Sequence, residues 1–305
     1  MKLLALETAT RALSCALAED GRPLASFSLV AGQRHAEVLM PAVDHICRVA
    51  GVAVQEIEAV AVDNGPGLFT GLRVGLAAGY AIASARRLPV VGVSSLEALA
   101  HPQRRRAGLV APVVDARRGE VFWSLYRSDG SHLEQLEAPS VVSPDVLAGK
   151  LAALAKGLEP PPNSPTTPAN GPMPSVTGPT PSVTGPVTSA DRPLPPAADA
   201  PAEPSLVLAV GDGAWRYRDL LGDAGAEVAG PGEMWPAATV VAELGWRSLS
   251  SQKQLEGLPA PVYLRQADVR IGWEEVAGRV GPVPPGSGGG GARTGSASSG
   301  ARLDM

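Results

Sequence analysis

The chain has 305 residues, of which 26 are Lys or Arg and 30 are Asp or Glu, giving a formal charge of -4; that balance excludes a strongly basic, dedicated nucleic-acid binder. Hydrophobic residues make up 45 %, enough for real cores, whereas 35 Gly and 30 Pro have to be concentrated where regular structure is not. Residues 159–205 hold 15 of the prolines and residues 281–305 hold 8 of the glycines, leaving ordinary composition for one large domain or two of about 100 to 150 residues.

The amino terminus carries one cation, Lys2, and only Leu3-Leu4-Ala5-Leu6 before Glu7, too short an apolar run for a signal peptide. The longest strongly apolar stretch, between Arg73 and Arg86, falls well short of the ~20 residues that span a bilayer. A cytoplasmic protein with no membrane role is expected. Cys15 and Cys47 lie on separate apolar patterns without Cys-x-x-Cys spacing and read as buried, reduced thiols.

Residues 2–7, 12–19 and 22–30 are three short β-type runs, the latter two joined by Asp20-Gly21, a strong two-residue hairpin signal. From His35 to Ala50, Val38, Leu39, Ala42, Val43, Ile46 and Val49 recur at helical spacing, with Gly51 as the stop. Pro41 inside that pattern predicts a kink or a second helical segment. Residues 57–63 form a fourth strand, 64–69 a Gly-Pro loop, 70–87 a second helix and 89–93 a fifth strand running into Ser94–Leu99. After His101 the pattern restarts: runs at 109–116, 121–127 and 133–142, then a helix at 144–157. A strand at 206–210, the loop Gly211-Asp212-Gly213 and an amphipathic helix at 236–250 follow the proline-rich stretch. Two tandem α/β units of related topology result, with 1–103 as the first and 104–280 as the second. The second is interrupted by 159–205, where Pro-Ser-Val-Thr-Gly-Pro occurs twice, and a Gly/Ser-rich tail follows at 281–305. Both of these segments have too few large apolar residues to offset ordering entropy and are expected to be disordered.

Several places could carry chemistry. The loop Gly65-Pro66-Gly67-Leu68-Phe69-Thr70-Gly71 leaves a strand and enters a helix, where backbone amides capped by Thr70 suit a phosphate. It lacks the Gly-Lys-Ser/Thr ending of a P-loop, and a tight structural turn explains it equally well. Glu7-Thr8-Ala9-Thr10 stands where actin-like and sugar-kinase-like ATPases have the phosphate-binding Asp-x-Gly-Thr turn, with Glu for Asp and Ala for Gly. Ala9 adopts a positive φ only at a cost, so a working nucleotide site is doubtful. Asp115 and Gly211-Asp212-Gly213 occupy the corresponding places in the second unit. A vestigial nucleotide or phosphate site therefore comprises Thr8, Thr10, Gly65, Gly67, Thr70, Asp115, Gly211 and Gly213. The histidines at 35, 45, 101 and 132 form no His-x-x-x-His pair, so no metal site is expected. The helix after the loop carries Gly71, Gly75, Gly79 and Ala83 every fourth residue, a nearly bare face for close approach of another element or a subunit. The basic runs Arg104-Arg105-Arg106 and Arg117-Arg118 could touch phosphates, with solvated surface the plainer reading.

The opening Leu3–Thr10, the segment His35–Pro41, the run Gly65–Gly75, Val114–Val121 and Pro261-Val262-Tyr263-Leu264-Arg265 together resemble the bacterial TsaB family, over about residues 1–158 and 206–268. The resemblance implies two actin-like, ribonuclease-H-like units. It also implies a non-catalytic scaffold that pairs with TsaD, the transferase that places threonylcarbamoyl on the adenosine beside the tRNA anticodon, with the ATPase TsaE joining that pair. TsaD holds its metal through His-x-x-x-His after the fifth strand, where this chain has Ser95 and Leu99. The family pairs through the first two helices, which places the partner surface on Leu39, Val43, Ile46, Leu72, Gly75, Leu76, Gly79 and Tyr80, a surface that can also form a homodimer. No cofactor of the chain's own is implied, beyond weak ATP or ADP binding within the complex. The alternatives are an actin-like small-molecule kinase or ATPase, opposed by Glu7 and Ala9, and a metallopeptidase, opposed by the missing histidine pair.

Overall fold

A computed structural model describes residues 1–32, 34–157, 207–251 and 258–264; the expected disordered segments 159–205 and 281–305 lie outside them. The first sheet contains β1 (Lys2–Glu7), β2 (Leu13–Glu19), β3 (Arg22–Leu29), β4 (Ala59–Gly65) and β5 (Val90–Ser94), in the order β3-β2-β1-β4-β5. Strands β1–β3 are antiparallel neighbours, whereas β4 and β5 join in parallel beside β1. Helices α1 (His35–Ala50) and α2 (Phe69–Arg86) supply the crossovers, and α3 (Ser95–Ala100) follows β5.

The second sheet repeats the plan. Its strands β6 (Gly108–Arg117), β7 (Glu120–Ser128), β8 (Leu133–Val142), β9 (Val207–Val210) and β10 (Glu227–Val228) stand in the order β10-β9-β6-β7-β8, with α4 (Pro144–Ala155), α5 (Asp212–Arg216), α6 (Arg218–Asp223) and α7 (Ala238–Ser250). Reading β6 for β1 and β9 for β4, the two orders coincide, so the tandem actin-like architecture holds.

Period-two alternation explains how the first sheet is buried on both sides. Its large residues, Leu4, Leu6, Leu13, Leu17, Val60 and Val62, face α1 and α2. The other face is mostly alanine, at 5, 16, 18, 59 and 61, and packs against α7. Gly245 of α7 lies directly on Ala61, so the helix backbone comes close to the sheet.

The helices that cap each sheet are exchanged between the two halves. Leu96, Leu99 and Ala100 of α3 cover β6, β7 and β9 of the second sheet, while Val241 and Ala242 of α7 cover β1, β4 and β5 of the first. A linear boundary at 103/104 therefore misassigns α7, whose packing belongs under the first sheet. The described residues belong to one compact unit.

Pro41 does not split α1, which runs unbroken to Ala50. Pro41 is exposed, so its ring meets solvent and not the sheet. α2 begins at Phe69 with Leu68 as its cap residue and no side-chain cap, so Thr70 lies in the first turn and does not cap it.

Candidate functional site

The two loops expected to hold phosphate meet each other directly. Leu68 N donates to Ala9 O at 2.6 Å, and the Thr8 hydroxyl donates to Gly71 O at 2.8 Å. A methyl group at Gly67 would collide with Ala9, and one at Gly71 with Thr8 O. Thr8, Thr10 and Gly65 are buried, so the turn after β1 and the loop after β4 are packed directly on each other. The second half is closed in the same way. Gly211 lies on Val113 O and Gly213 on the Val114 backbone, and Asp212 accepts from Asp115 N at 3.0 Å. Of the expected phosphate-site residues, only Thr70 is exposed.

The glycine stripe has the same cause. Gly75 rests on the Thr8 side chain and Gly79 on Val62, so α2 presses its bare face onto β1 and β4. Leu39, Val43, Ile46, Leu72 and Leu76 are buried in the chain's own core. Tyr80 is half-buried and its hydroxyl donates to Pro259 O. Of the eight residues expected at the partner surface, seven point into the chain's own core and Tyr80 is half-buried, because the large-residue face of the sheet has to be covered and the glycine stripe allows α2 to come that close. The outward side of α2 shows Arg73, Ala77, Ala81 and Ala85, flanked by half-buried Val74, Ala78 and Ile82. Beside it α1 presents Met40, Pro41, Asp44 and Arg48.

Beyond the filled loops a cleft of about 740 Å³ remains, lined among others by Arg11, His35, Phe69, Thr70 and Arg117. It gathers the first turn of α2, whose amides carry partial positive charge, with Arg11 from the turn between β1 and β2 and Arg117 from the end of β6. His35 is fixed at its wall, with Nε2 3.1 Å from Ala12 O. At its rim the Arg73 guanidinium lies 3.7 Å over the Phe69 ring, and Phe69 stacks on Tyr263 at 5.1 Å. The late segment around Tyr263 is tied to the first sheet through Val262 N, which donates to Asn64 O at 2.8 Å.

Asp115, at the end of β6, meets Arg216 at 3.1 Å and Arg117 at 3.3 Å. Burial pushes Asp212 up to about 6, and the Asp115 charge adds to the shift. Sequence reasoning missed Asp63, Arg11 and Arg216: Asp63 is a single acid in an apolar run, and the arginines are isolated in sequence. Arg104 and Arg106, considered for phosphate contact, are engaged within the chain by Glu243 and Glu227 respectively. Ser95, which the resemblance sets against the first histidine of the TsaD pair, donates to Asp63 at 2.6 Å. Leu99, at the place of the second, sits in the apolar layer under the second sheet.

Comparison with known proteins fits this architecture. The family model described as TsaD: tRNA N6-adenosine threonylcarbamoyltransferase matches residues 29–188, more than half of the chain. The tRNA threonylcarbamoyladenosine biosynthesis protein TsaB of Escherichia coli is 36 % identical over 160 residues, covering 51 % of this chain and 68 % of that protein. TsaB of Bacillus subtilis is 35 % identical over 136 residues, covering 45 % of this chain and 59 % of that protein, less than two thirds of its length. The crystal structure of YeaZ from Pseudomonas aeruginosa superposes with a TM-score of 0.58 at 26 % identity, over 86 % of this chain and 99 % of that one. With the repeated strand order and the Gly65–Gly75 signature, these likenesses establish that the chain belongs to the TsaB family, within the wider family that the TsaD model describes.

Proposed function

We propose that this chain is a non-catalytic scaffold of tRNA threonylcarbamoyladenosine biosynthesis, which pairs with TsaD and, through that pair, engages TsaE and tRNA in the cytoplasm. The observation that carries this reading is the outward face of α2. Ala77, Ala81 and Ala85 with Val74, Ala78 and Ile82 form a low, apolar surface beside the exposed side of α1, rimmed by Arg73, Asp44 and Arg48. Small residues permit close helix approach, and apolar area supplies the driving force. The same face supports self-association when TsaD is absent. The non-catalytic assignment is supported by Ser95 and Leu99, since a hydrogen-bonded hydroxyl and a buried isobutyl group stand where TsaD has its two imidazoles. Among the described residues no helix is long and apolar enough to cross a membrane.

The test is co-purification of the full chain with TsaD, repeated with Ala81→Glu. The expected result is loss of the pair with an unchanged unfolding midpoint; a complex that survives the charged variant places the interface elsewhere.

A second role is favoured by the cleft. Arg11, Arg117 and the first turn of α2 support weak ATP or ADP binding within the assembly. Nucleotide titration of the TsaD pair, with and without Arg11→Ala, checks it; equal affinity for parent and variant rejects that use of the cleft.

A further inference from the structure

Glu7 and Asp63 end two adjacent parallel strands. Leu6 of β1 pairs with Val62 of β4, so the next residue on each strand projects from the same side of the sheet, one beside the other. Both side chains are closed off from water, Glu7 at 0 % and Asp63 at 1 % exposure. Glu7 Oε1 accepts from Ala9 N at 2.9 Å and from the Thr10 hydroxyl at 3.4 Å, and Oε2 accepts from the Ser14 hydroxyl at 3.5 Å. Asp63 Oδ1 accepts from Ser95 Oγ at 2.6 Å and from Gly65 N at 2.8 Å. Asp63 Oδ2 is buried with no hydrogen-bond partner.

The hydrogen-bond partners of the pair are all uncharged. Ser14 comes from β2, Thr10 from the following turn and Ser95 from α3, while Ala238 N at the start of α7 donates to Ser14 Oγ. Among the described residues no Lys, Arg or His pairs with either acid. Two neighbouring carboxylates in such a place cannot both be ionised without a large desolvation and repulsion cost.

We propose that Glu7 and Asp63 bind one proton between them at neutral pH, with Asp63 Oδ2 as the oxygen through which it is shared. The end of the first sheet is then a proton-binding site in its own right. One acid carries the proton and the other stays a carboxylate; when the pH rises the proton leaves to water and two buried carboxylates remain. Burial pushes Asp63 up to about 7. Glu7 is raised well above the usual carboxylate range, first by burial and then by the charge of Asp63. The pair titrates as one coupled unit.

The sign follows from linkage. Both acids ionise at about pH 4 in the unfolded chain and later in the folded one, so unfolding near neutrality releases a proton. The stability the pair contributes is complete below about pH 4 and is lost as pH rises through the folded values. The assembly role does not enter this argument, so failure of one leaves the other standing.

Two measurements on the full chain test it. Carbon-13 carboxyl titration of the unmodified protein needs no substitution, and the expected result is one Asp or Glu carboxyl that changes charge near or above neutrality. Equilibrium unfolding of the parent and of the double variant Glu7→Gln/Asp63→Asn is then compared between about pH 5 and about pH 7. The parent's unfolding constant is expected to rise about tenfold per pH unit relative to the variant, the slope for one released proton. Assigned Glu7 and Asp63 carboxyl titrations that are both complete below about pH 5 overturn the proposal. So does magnesium that raises the unfolding midpoint of the parent but not of Asp63→Asn, since a cation and not a proton would then neutralise the pair.

Discussion

The ends of β1 and β6 hold equivalent places in two sheets of the same topology, and each buries acid by a different means. At β6, Asp115 is met by the guanidinium groups of Arg117 and Arg216. At β1, Glu7 has only backbone amides and hydroxyls, and its neighbour Asp63 has one oxygen with no partner at all. Equivalent topology therefore fixes where an acid sits but leaves open how its charge is offset. The second half uses basic side chains at the margin of the protein; the first, closed off from water, sets no basic side chain against its acids among the described residues.

The widest separation between the halves is expected from changes that strike the seal. Leu76→Glu places a carboxylate in the core between α2 and the first sheet, where Leu76 is 4 % exposed. Loss of about 3 to 5 kcal/mol is expected, by analogy with an unpaired buried charge, and is read by chemical denaturation as loss of the folded baseline. Gly71→Ala drives a methyl group into the backbone of the turn after β1, whereas Gly213→Ala meets milder crowding from Val113 and Val114. The expected costs are about 3 kcal/mol for the first and about 1 kcal/mol for the second, the two ends of the overpacking range. Equal costs would mean that the two halves are sealed alike.

The glycine stripe also shows where sequence reasoning stops. Its four-residue spacing was legible, and so was a flanking ridge of Leu72 and Leu76. Which side of the helix met the sheet was not, because a bare face serves a neighbouring subunit and a neighbouring strand equally well. Only the nearness of Thr8 and Val62 decides, and residues so far from α2 in sequence carry no local signal of it. The three-stranded opening, the Asp20-Gly21 turn and the span of α1 were legible because each is set by local pattern. Asp63 was read as the last residue of a strand, and its partner Glu7 as half of a phosphate turn. Their pairing depends on register between β1 and β4, which no short window of sequence contains.

Smaller effects discriminate the charges themselves. Asp115→Asn removes the acceptor that Arg117 and Arg216 share; those arginines are substantially exposed, so a loss of about 1 kcal/mol at neutral pH is expected, shrinking as salt is added. Asp212 behaves in the opposite sense. Raised to about 6 by burial, it contributes stability that is complete below its unfolded value of about 4 and fades as pH climbs through 6. Asp212→Asn is therefore expected to flatten the stability curve across that interval, as followed by urea unfolding at several pH values. An unchanged curve would mean that Asp212 is ionised throughout.

The exchange of α3 and α7 between the sheets has a consequence for biosynthesis. The amino-terminal sheet leaves the ribosome early, yet the helix that covers its alanine face is encoded beyond residue 237. Until that stretch clears the exit tunnel, the nascent polypeptide displays Leu3, Ala16 and Ala61 to water, a surface that invites chaperones or aggregation. Products cut short ahead of α7 carry that exposed face permanently and are natural targets for proteolytic quality control.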